Sequence, residues 1–168
     1  MHELLKNRRS IRKYKPRQVS DELLDAVLEA GLYAASGMNT QNTIMVAVRD
    51  QATRDQLSRM NAEVMGTDAD PFYGAPCVVV VLVDPERYTW VEDGSLVMGN
   101  LMQAAYEAGL GSCWIHRAKQ TFETEEGKAL LRAWGLPETL VGIGNCILGY
   151  AEEVPEARPR KEGRIFKV

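Results

Sequence analysis

Residues 77–83 form an unbroken apolar run, CVVVVLV, in which five of the seven side chains are valine. Valine favours extended backbone, and the lack of polar alternation predicts a strand that is buried on both of its faces. A strand of this kind needs helices packed on both sides of its sheet. Because helical and strand patterns alternate along the rest of the chain, we expect an α/β or α+β architecture with one sheet layer between helices.

The hydrophobic periodicity predicts the other elements. Helices are expected where apolar residues recur at helical spacing, over residues 2–8, 20–35, 50–65, 91–108 and 124–134. Further strands are expected over residues 43–49, 112–115 and 141–150, and the polar, proline-interrupted segment after them should lie along a surface. The 168 residues contain no repeat or low-complexity segment, so a single domain over residues 1–168 is the natural organisation.

Charge is distributed unevenly, although the net charge is only −3. Residues 6–17 contain seven basic and no acidic side chains, residues 158–168 contain five basic and one acidic, and the segment between contains eight basic and 21 acidic. This balance gives no global positive field that would hold nucleic acid or an anionic membrane. The two basic ends are either solvated tails or converge on one polyanionic ligand.

The three cysteines, Cys77, Cys113 and Cys146, each lie in an apolar run, which predicts buried free thiols and a reducing compartment. With two histidines and no CxxC pair, no metal site is expected. The N-terminal segment lacks the apolar core of a signal peptide, and no apolar run approaches the ~20 residues that span a bilayer. We therefore expect a cytoplasmic protein with no membrane contact.

Three polar groups remain as candidates for chemistry: Arg8-Arg9-Ser10 with Arg12, the loop of residues 36–41 (SGMNTQ), and Arg158 with Arg160. Guanidinium groups and a hydroxyl suit a phosphate monoester, whereas asparagine and glutamine amides suit a ring edge with alternating donors and acceptors. The combination suggests a nucleotide-like cofactor. The glycines of GIGNCILG lie in a strand pattern and are interpreted as close packing rather than phosphate binding.

Five segments in this order, RRSIRKY, AASGMNTQN, GAPCVVVV, EDGSLVMGNLMQAAYEAGLGSCWI and RPRK, carry a family resemblance. Over nearly its whole length, the chain resembles the short form of the nitroreductase family of FMN-dependent oxidoreductases. The resemblance implies an α+β fold with a central, mainly antiparallel sheet flanked by helices. It also implies a homodimer with two FMN sites at the subunit interface.

The resemblance assigns cofactor-binding residues in three groups. The FMN phosphate and ribityl chain would be held by Arg8, Arg9, Ser10, Arg12, Arg158 and Arg160. The loop that reaches the flavin from the other subunit would supply Ser36, Gly37, Asn39 and Gln41. The pyrimidine edge of the flavin would face Ile115, His116, Arg117 and Ala118.

The last group departs from the family pattern, because many relatives have a glycine-containing turn where this chain has IHRAK. His116 is either a ligand contact or proton donor, or a histidine of a surface loop. Arg117 is a candidate for stabilising negative charge that develops on the flavin. Tyr73, Phe72 and Trp90 either line the acceptor pocket or belong to the core.

The implied activity is ping-pong hydride transfer from NADH or NADPH, through FMN, to a nitroaromatic, a quinone or a similar small acceptor, without a catalytic side chain. One alternative is a specialised flavoenzyme of the same fold, acting in flavin destruction, reductive dehalogenation or azoline oxidation. Another is a flavin-binding or storage protein with little turnover. Nucleic-acid binding by the basic N-terminal segment is disfavoured, because Tyr14 is the only aromatic residue among its arginines on which a base could stack.

Overall fold

A computed structural model describes residues 3–168 of the protein, and the described part of the chain forms one four-stranded sheet. The strands are β1 (Thr43–Val48), β2 (Cys77–Val83), β3 (Gly111–Ile115) and β4 (Val141–Gly149), in the order β1-β2-β4-β3. All three strand pairings are antiparallel. The predicted α+β class with an antiparallel sheet is therefore confirmed.

All seven residues of β2 are buried, as the apolar run predicts. Strand β2 pairs with β1 on one edge and with β4 on the other, so its backbone groups are satisfied on both sides. Its alternate side chains enter two separate core clusters, one on each face of the sheet.

Six helices of the described chain flank the sheet: α1 (Glu3–Asn7), α2 (Asp21–Leu32), α3 (Gln51–Met65), α4 (Trp90–Glu107), α5 (Ala118–Glu123) and α6 (Glu125–Ala133). Helices α2 and α4 pack on the face that carries Val79, and α3, α5 and α6 pack on the face that carries Val80. Ser20 and Asp50 cap their helices by accepting from backbone N–H groups, as their positions predict.

Two helix predictions need correction. Helix α2 ends at Leu32, before the predicted Ala35, because the N–H of Ala34 closes a tight turn onto the Gly31 carbonyl at 3.1 Å. Helix α5 was not predicted, since AKQTFE is too short to show an apolar period. His2, the first residue of the first predicted helix, lies outside the described residues.

The glycines of β4 permit close packing, as predicted. A Cβ at Gly142 would lie 2.5 Å from the backbone carbonyl carbon of Ala118, and one at Gly144 would collide with the Trp114 ring. All three cysteines are buried free thiols, which confirms their predicted place in the core. Burial raises the pKa of Cys77 to about 12, so this thiol stays protonated at neutral pH. Within residues 3–168, no helix is both long and apolar enough to cross a membrane.

Candidate active site

The two basic ends of the chain meet beside strand β3. Ser10 forms a parallel bridge with Ser112, and the Ile11 N–H donates to the Ser112 carbonyl at 2.9 Å. Tyr14 forms an antiparallel bridge with Ala151, just after β4 ends. The start of the C-terminal segment is thereby held alongside the N-terminal segment.

These contacts create a cleft of about 520 Å³, here called the arginine cleft, lined by Arg8, Arg9, Ser10, Arg12, Pro155, Glu156, Arg158 and Arg160. It brings together all six residues that the resemblance assigns to the FMN phosphate and ribityl chain. Five arginines and one glutamate line it. The two basic ends therefore converge, although residues 156–168 are exposed, and contact with a phosphate stays a prediction.

One guanidinium nitrogen among the residues that line the arginine cleft is buried without an acceptor in the described chain. Nη1 of Arg8 is buried and without a hydrogen-bond partner among residues 3–168. By contrast, Nη1 of Arg9 donates to the carbonyls of Lys6 at 2.6 Å and Arg8 at 2.8 Å. A buried N–H without an acceptor is costly, and an anion that reaches this nitrogen from the cleft would satisfy it. The donor set therefore fits a phosphate group.

A second cleft of about 200 Å³, here called the tyrosine cleft, shares Arg12 with the first. It is lined by Arg12, Met65, Pro71, Tyr73, Cys113, Trp114, Ile115, His116 and Arg117. Buried Cys113 and Ile115 form its inner part, and the exposed residues Tyr73 and His116 lie at its rim. Because Arg12 lines both clefts, the two clefts are neighbours.

The segment after β3 lies at the tyrosine cleft, as the resemblance implies for three of its four residues. Ile115, His116 and Arg117 line the cleft, whereas Ala118 is fully buried behind it at the start of α5. Arg117 has a left-handed φ of 77°, an uncommon backbone conformation for a residue other than glycine. Their contacts with a flavin stay predictions, and Ala118 exposes neither its side chain nor its backbone to the cleft.

Sequence reasoning missed the residue that holds this segment. Asn61 of α3 is fully buried, and its Nδ2 donates to the His116 carbonyl at 2.8 Å. The bond joins residues 55 positions apart. No local pattern in the sequence signals such a contact.

The loop of residues 36–41 lines neither the arginine cleft nor the tyrosine cleft. Ser36 and Gln41 line a third cleft of about 180 Å³, together with Gly31 and Asp93. Three residues of this loop, Met38, Asn39 and Gln41, have left-handed φ values of 52°, 55° and 50°. Asn39 and Gln41 are exposed, so their side chains are available to a second molecule.

Asp93, which the sequence interpretation also missed, holds this loop in place. It is 2% exposed, and its carboxylate accepts from the Gly37 N–H at 2.8 Å and from the Thr89 hydroxyl at 3.0 Å. A Cβ at Gly37 would come within 2.5 Å of the Thr89 hydroxyl oxygen. Glycine is therefore required for this close approach, and the loop is preformed in the single chain.

The structure separates the three candidate aromatics. Phe72 is fully buried and Trp90 packs partly buried against the core, which favours the packing interpretation for both. Tyr73 is 42% exposed and lines the tyrosine cleft. Of the three, Tyr73 lies where a ligand can touch it.

The model of the nitroreductase family matches residues 5–69 and 65–150 of this chain. The chain belongs to the nitroreductase family. A relative from Archaeoglobus fulgidus, named as a candidate NADH dehydrogenase/NAD(P)H nitroreductase, is 35% identical over 162 residues, which cover 91% of this chain and 88% of that protein.

Solved nitroreductases share the whole fold. The FMN-bound crystal structure of a nitroreductase from Bacteroides fragilis NCTC 9343 has a TM-score of 0.90 and 29% identity and covers 100% of both chains. The FMN-bound nitroreductase from Desulfitobacterium hafniense DCB-2 has a TM-score of 0.88 and 25% identity, covering 98% of this chain and 96% of that one. The implied nitroreductase fold is confirmed.

Proposed function

We propose that this nitroreductase-family protein binds FMN and uses NADH or NADPH to reduce small acceptors such as nitroaromatics and quinones. The observation that carries the proposal is the arginine cleft, where the buried Nη1 of Arg8 has no acceptor in the described chain. The FMN phosphate would supply that acceptor. The two FMN-bound relatives support the choice of cofactor.

In this arrangement the chain binds and orients while the cofactor reacts. Arg8, Arg158 and Arg160 would hold and neutralise the phosphate, and Arg12, which lines both clefts, would contact the cofactor as well. Ile115, His116 and Arg117, with the His116 carbonyl held by Asn61, would lie at the ring edge. Bound FMN supplies two-electron redox chemistry that none of these side chains can perform.

The overall reaction balances without a side-chain nucleophile. NAD(P)H donates two electrons and one proton as a hydride equivalent, and a quinone acceptor takes two electrons and two protons, the second proton coming from water. Donor and acceptor occupy the same cleft in turn, so double-reciprocal plots at several fixed acceptor concentrations should be parallel.

The proposal includes a homodimer in which the loop with Ser36, Gly37, Asn39 and Gln41 reaches the flavin bound by the other copy. Its support is that this loop lines a different cleft from the five arginines of its own chain. The loop also exposes Met38 to 88%, an apolar side chain that a second copy would cover.

The test is a visible spectrum of the purified protein, followed by anaerobic addition of NADH and then NADPH. A flavin spectrum that bleaches with either nucleotide supports the proposal. A flavin spectrum that survives both nucleotides favours the storage protein or the specialised flavoenzyme. A colourless protein that cannot be loaded with FMN overturns it.

The same protein permits a test of the cofactor residues. Arg160→Ala should weaken FMN binding by about ten- to hundred-fold, because a hydrogen bond to a charged group contributes ~1.5 to 3 kcal/mol. Arg164→Ala is the matched control, since Arg164 lies on the same segment but does not line the arginine cleft. Equal FMN affinity in the two variants would contradict the assignment of Arg160.

A further inference from the structure

Tyr73 has a backbone conformation that its side chain disfavours. Its φ is 52°, and Gly74 follows with a φ of 69°. A bulky residue in the left-handed region is uncommon and persists only where the surrounding structure imposes it. Strained backbone of this kind is concentrated at ligand-binding sites. What imposes the strain on Tyr73, and where it places the ring, therefore bear on function.

The cause is Asp70. Its carboxylate accepts from the N–H of Phe72 at 2.8 Å and from the N–H of Gly74 at 2.7 Å, the backbone groups on either side of Tyr73. The same carboxylate accepts from Nη2 of Arg54 at 2.7 Å and from the Ser58 hydroxyl. These four bonds fasten the turn to helix α3 and fix the peptide groups that flank Tyr73.

Arg54 makes the attachment rigid. It is 5% exposed, and its Nε donates to the Ala75 carbonyl at 3.0 Å, just beyond the same turn. Its guanidinium carbon also lies 5.5 Å from the centre of the Phe72 ring. Phe72 is thereby held in the core, on the inner side of the turn.

As a consequence, two aromatic residues that are adjacent in sequence occupy different environments. Phe72 is fully buried, whereas Tyr73 stands at the rim of the tyrosine cleft and is 42% exposed. The guanidinium carbon of Arg12 lies 5.9 Å from the centre of the Tyr73 ring, within the range of a cation–π contact that orients the ring. The buried inner part of the cleft suits a resident cofactor, and its exposed rim suits a substrate that arrives from solvent.

We propose that Tyr73 is a specificity-determining residue whose ring forms an outer aromatic wall for planar substrates, and that Asp70 is the residue that positions it. The inference rests on the proposed function and deepens it. The favoured acceptors are planar ring compounds such as quinones, which can stack on the wall. Compact acceptors that take electrons without stacking gain nothing from it.

The experiment compares 1,4-naphthoquinone with ferricyanide as acceptors for the FMN-loaded protein. Tyr73→Ala should raise the KM for naphthoquinone by about three- to ten-fold, the range expected for loss of one aromatic pair, and leave the KM for ferricyanide unchanged. Tyr73→Phe should retain wild-type behaviour. Asp70→Asn should shift the naphthoquinone KM in the same direction, with the ferricyanide kcat unchanged.

A measurement without turnover accompanies the kinetics. Naphthoquinone should quench the fluorescence of Trp114, which lines the same cleft, with a weaker apparent affinity in Tyr73→Ala. Tyr88→Ala is the matched control, because Tyr88 is 90% exposed and does not line the tyrosine cleft.

Equal changes for both acceptors in Tyr73→Ala, or no change for either, would overturn the inference. Weaker FMN binding with an unchanged naphthoquinone KM would overturn it too, since the ring would then serve the cofactor. These results require wild-type protein that loads FMN and oxidises NAD(P)H. Wild-type protein that does neither would instead overturn the proposed function, and the inference that rests on it.

Discussion

Asp70 and Asp93 shape the site in the same way, although they lie on opposite faces of the sheet. Asp93 belongs to α4 on one face, and Asp70 follows α3 on the other. Asp93 accepts from one backbone N–H and Asp70 from two, in each case from a turn that contains residues with positive φ. A charged acceptor makes stronger hydrogen bonds than a neutral one, so a single side chain can hold backbone in a conformation that it would otherwise leave. The site is preformed by acids that need not touch a ligand.

Asp70 also gives the fold a defined sensitivity to acid. Burial raises the pKa of Asp70, but hydrogen bonds from Arg54, Ser58 and two backbone amides lower it more, so the net shift is downward. Because the folded pKa lies below the unfolded value of about 3.9, this contribution to stability is complete above that pH and is lost as the pH falls through the folded pKa. Asp70→Asn should therefore lower Tm at pH 7 and flatten the decline of Tm below about pH 4.

Thermal unfolding between pH 7 and pH 3 checks this prediction, with Asp68→Asn as the exposed control that should follow the wild type. Some decline will remain in Asp70→Asn. The pKa of Asp50 is lowered by the Thr53 N–H, and that of Glu126 by the Gln56 amide. Parallel curves for Asp70→Asn and wild type would show that Asp70 does not carry the acid sensitivity.

Residue types that bind phosphate could be predicted from the sequence, because Arg8-Arg9-Ser10 is a local motif. Asp93 and Asn61 could not, since each acts on a backbone group 55 or more positions away. The role of Asp70 could be predicted in part. An aspartate before Pro-x-x-Gly signals a turn in which the carboxylate accepts from following amides, but its bond to Arg54 exists only in the folded chain.

Helix α4 shows how the packing of an element sets the geometry of the site. Gly94 faces the sheet, and a Cβ there would overlap the Ile143 side chain and lie 3.0 Å from Cγ1 of Val83. The neighbouring Asp93 is thus held close to the sheet while it binds the Gly37 N–H. The sequence predicts α4 and β2 well because their burial patterns are long, whereas the distance between them depends on this one glycine.

Gly94→Ala tests that distance. Overpacking a close contact typically costs ~1 to 3 kcal/mol, which outweighs the gain of up to about 1 kcal/mol from replacing glycine by alanine in a helix. Chemical denaturation should show a net loss of stability, while Ser95→Ala on the same helix should stay near the wild-type value. A Gly94→Ala protein more stable than the wild type would mean that the helix moves away from the sheet at little cost.

At the scale of the whole molecule, the loop 36–41 borders a different cleft from the other two groups of predicted cofactor residues, which meet at Arg12. Arg8, Arg158 and Arg160 line the arginine cleft, and the buried Nη1 of Arg8 has no partner within residues 3–168. Asn39 and Gln41 lie exposed on a loop that borders another cleft. A two-fold symmetric dimer would present the loop of each copy to the cleft of the other, and would complete both sites with the same contacts.

Subunit mixing distinguishes this arrangement from a site within one chain. Arg8→Ala and Asn39→Ala homodimers should each bind FMN weakly, because every site lacks one group. In a mixed dimer, one site combines the intact Arg8 of one copy with the intact Asn39 of the other, while the second site carries both defects. Random exchange should therefore restore tight binding to about one quarter of all sites, measured by FMN titration after the two proteins are unfolded and refolded together. If Asn39 served its own chain, every site in the mixture would keep exactly one of the two defects, and mixing would restore none.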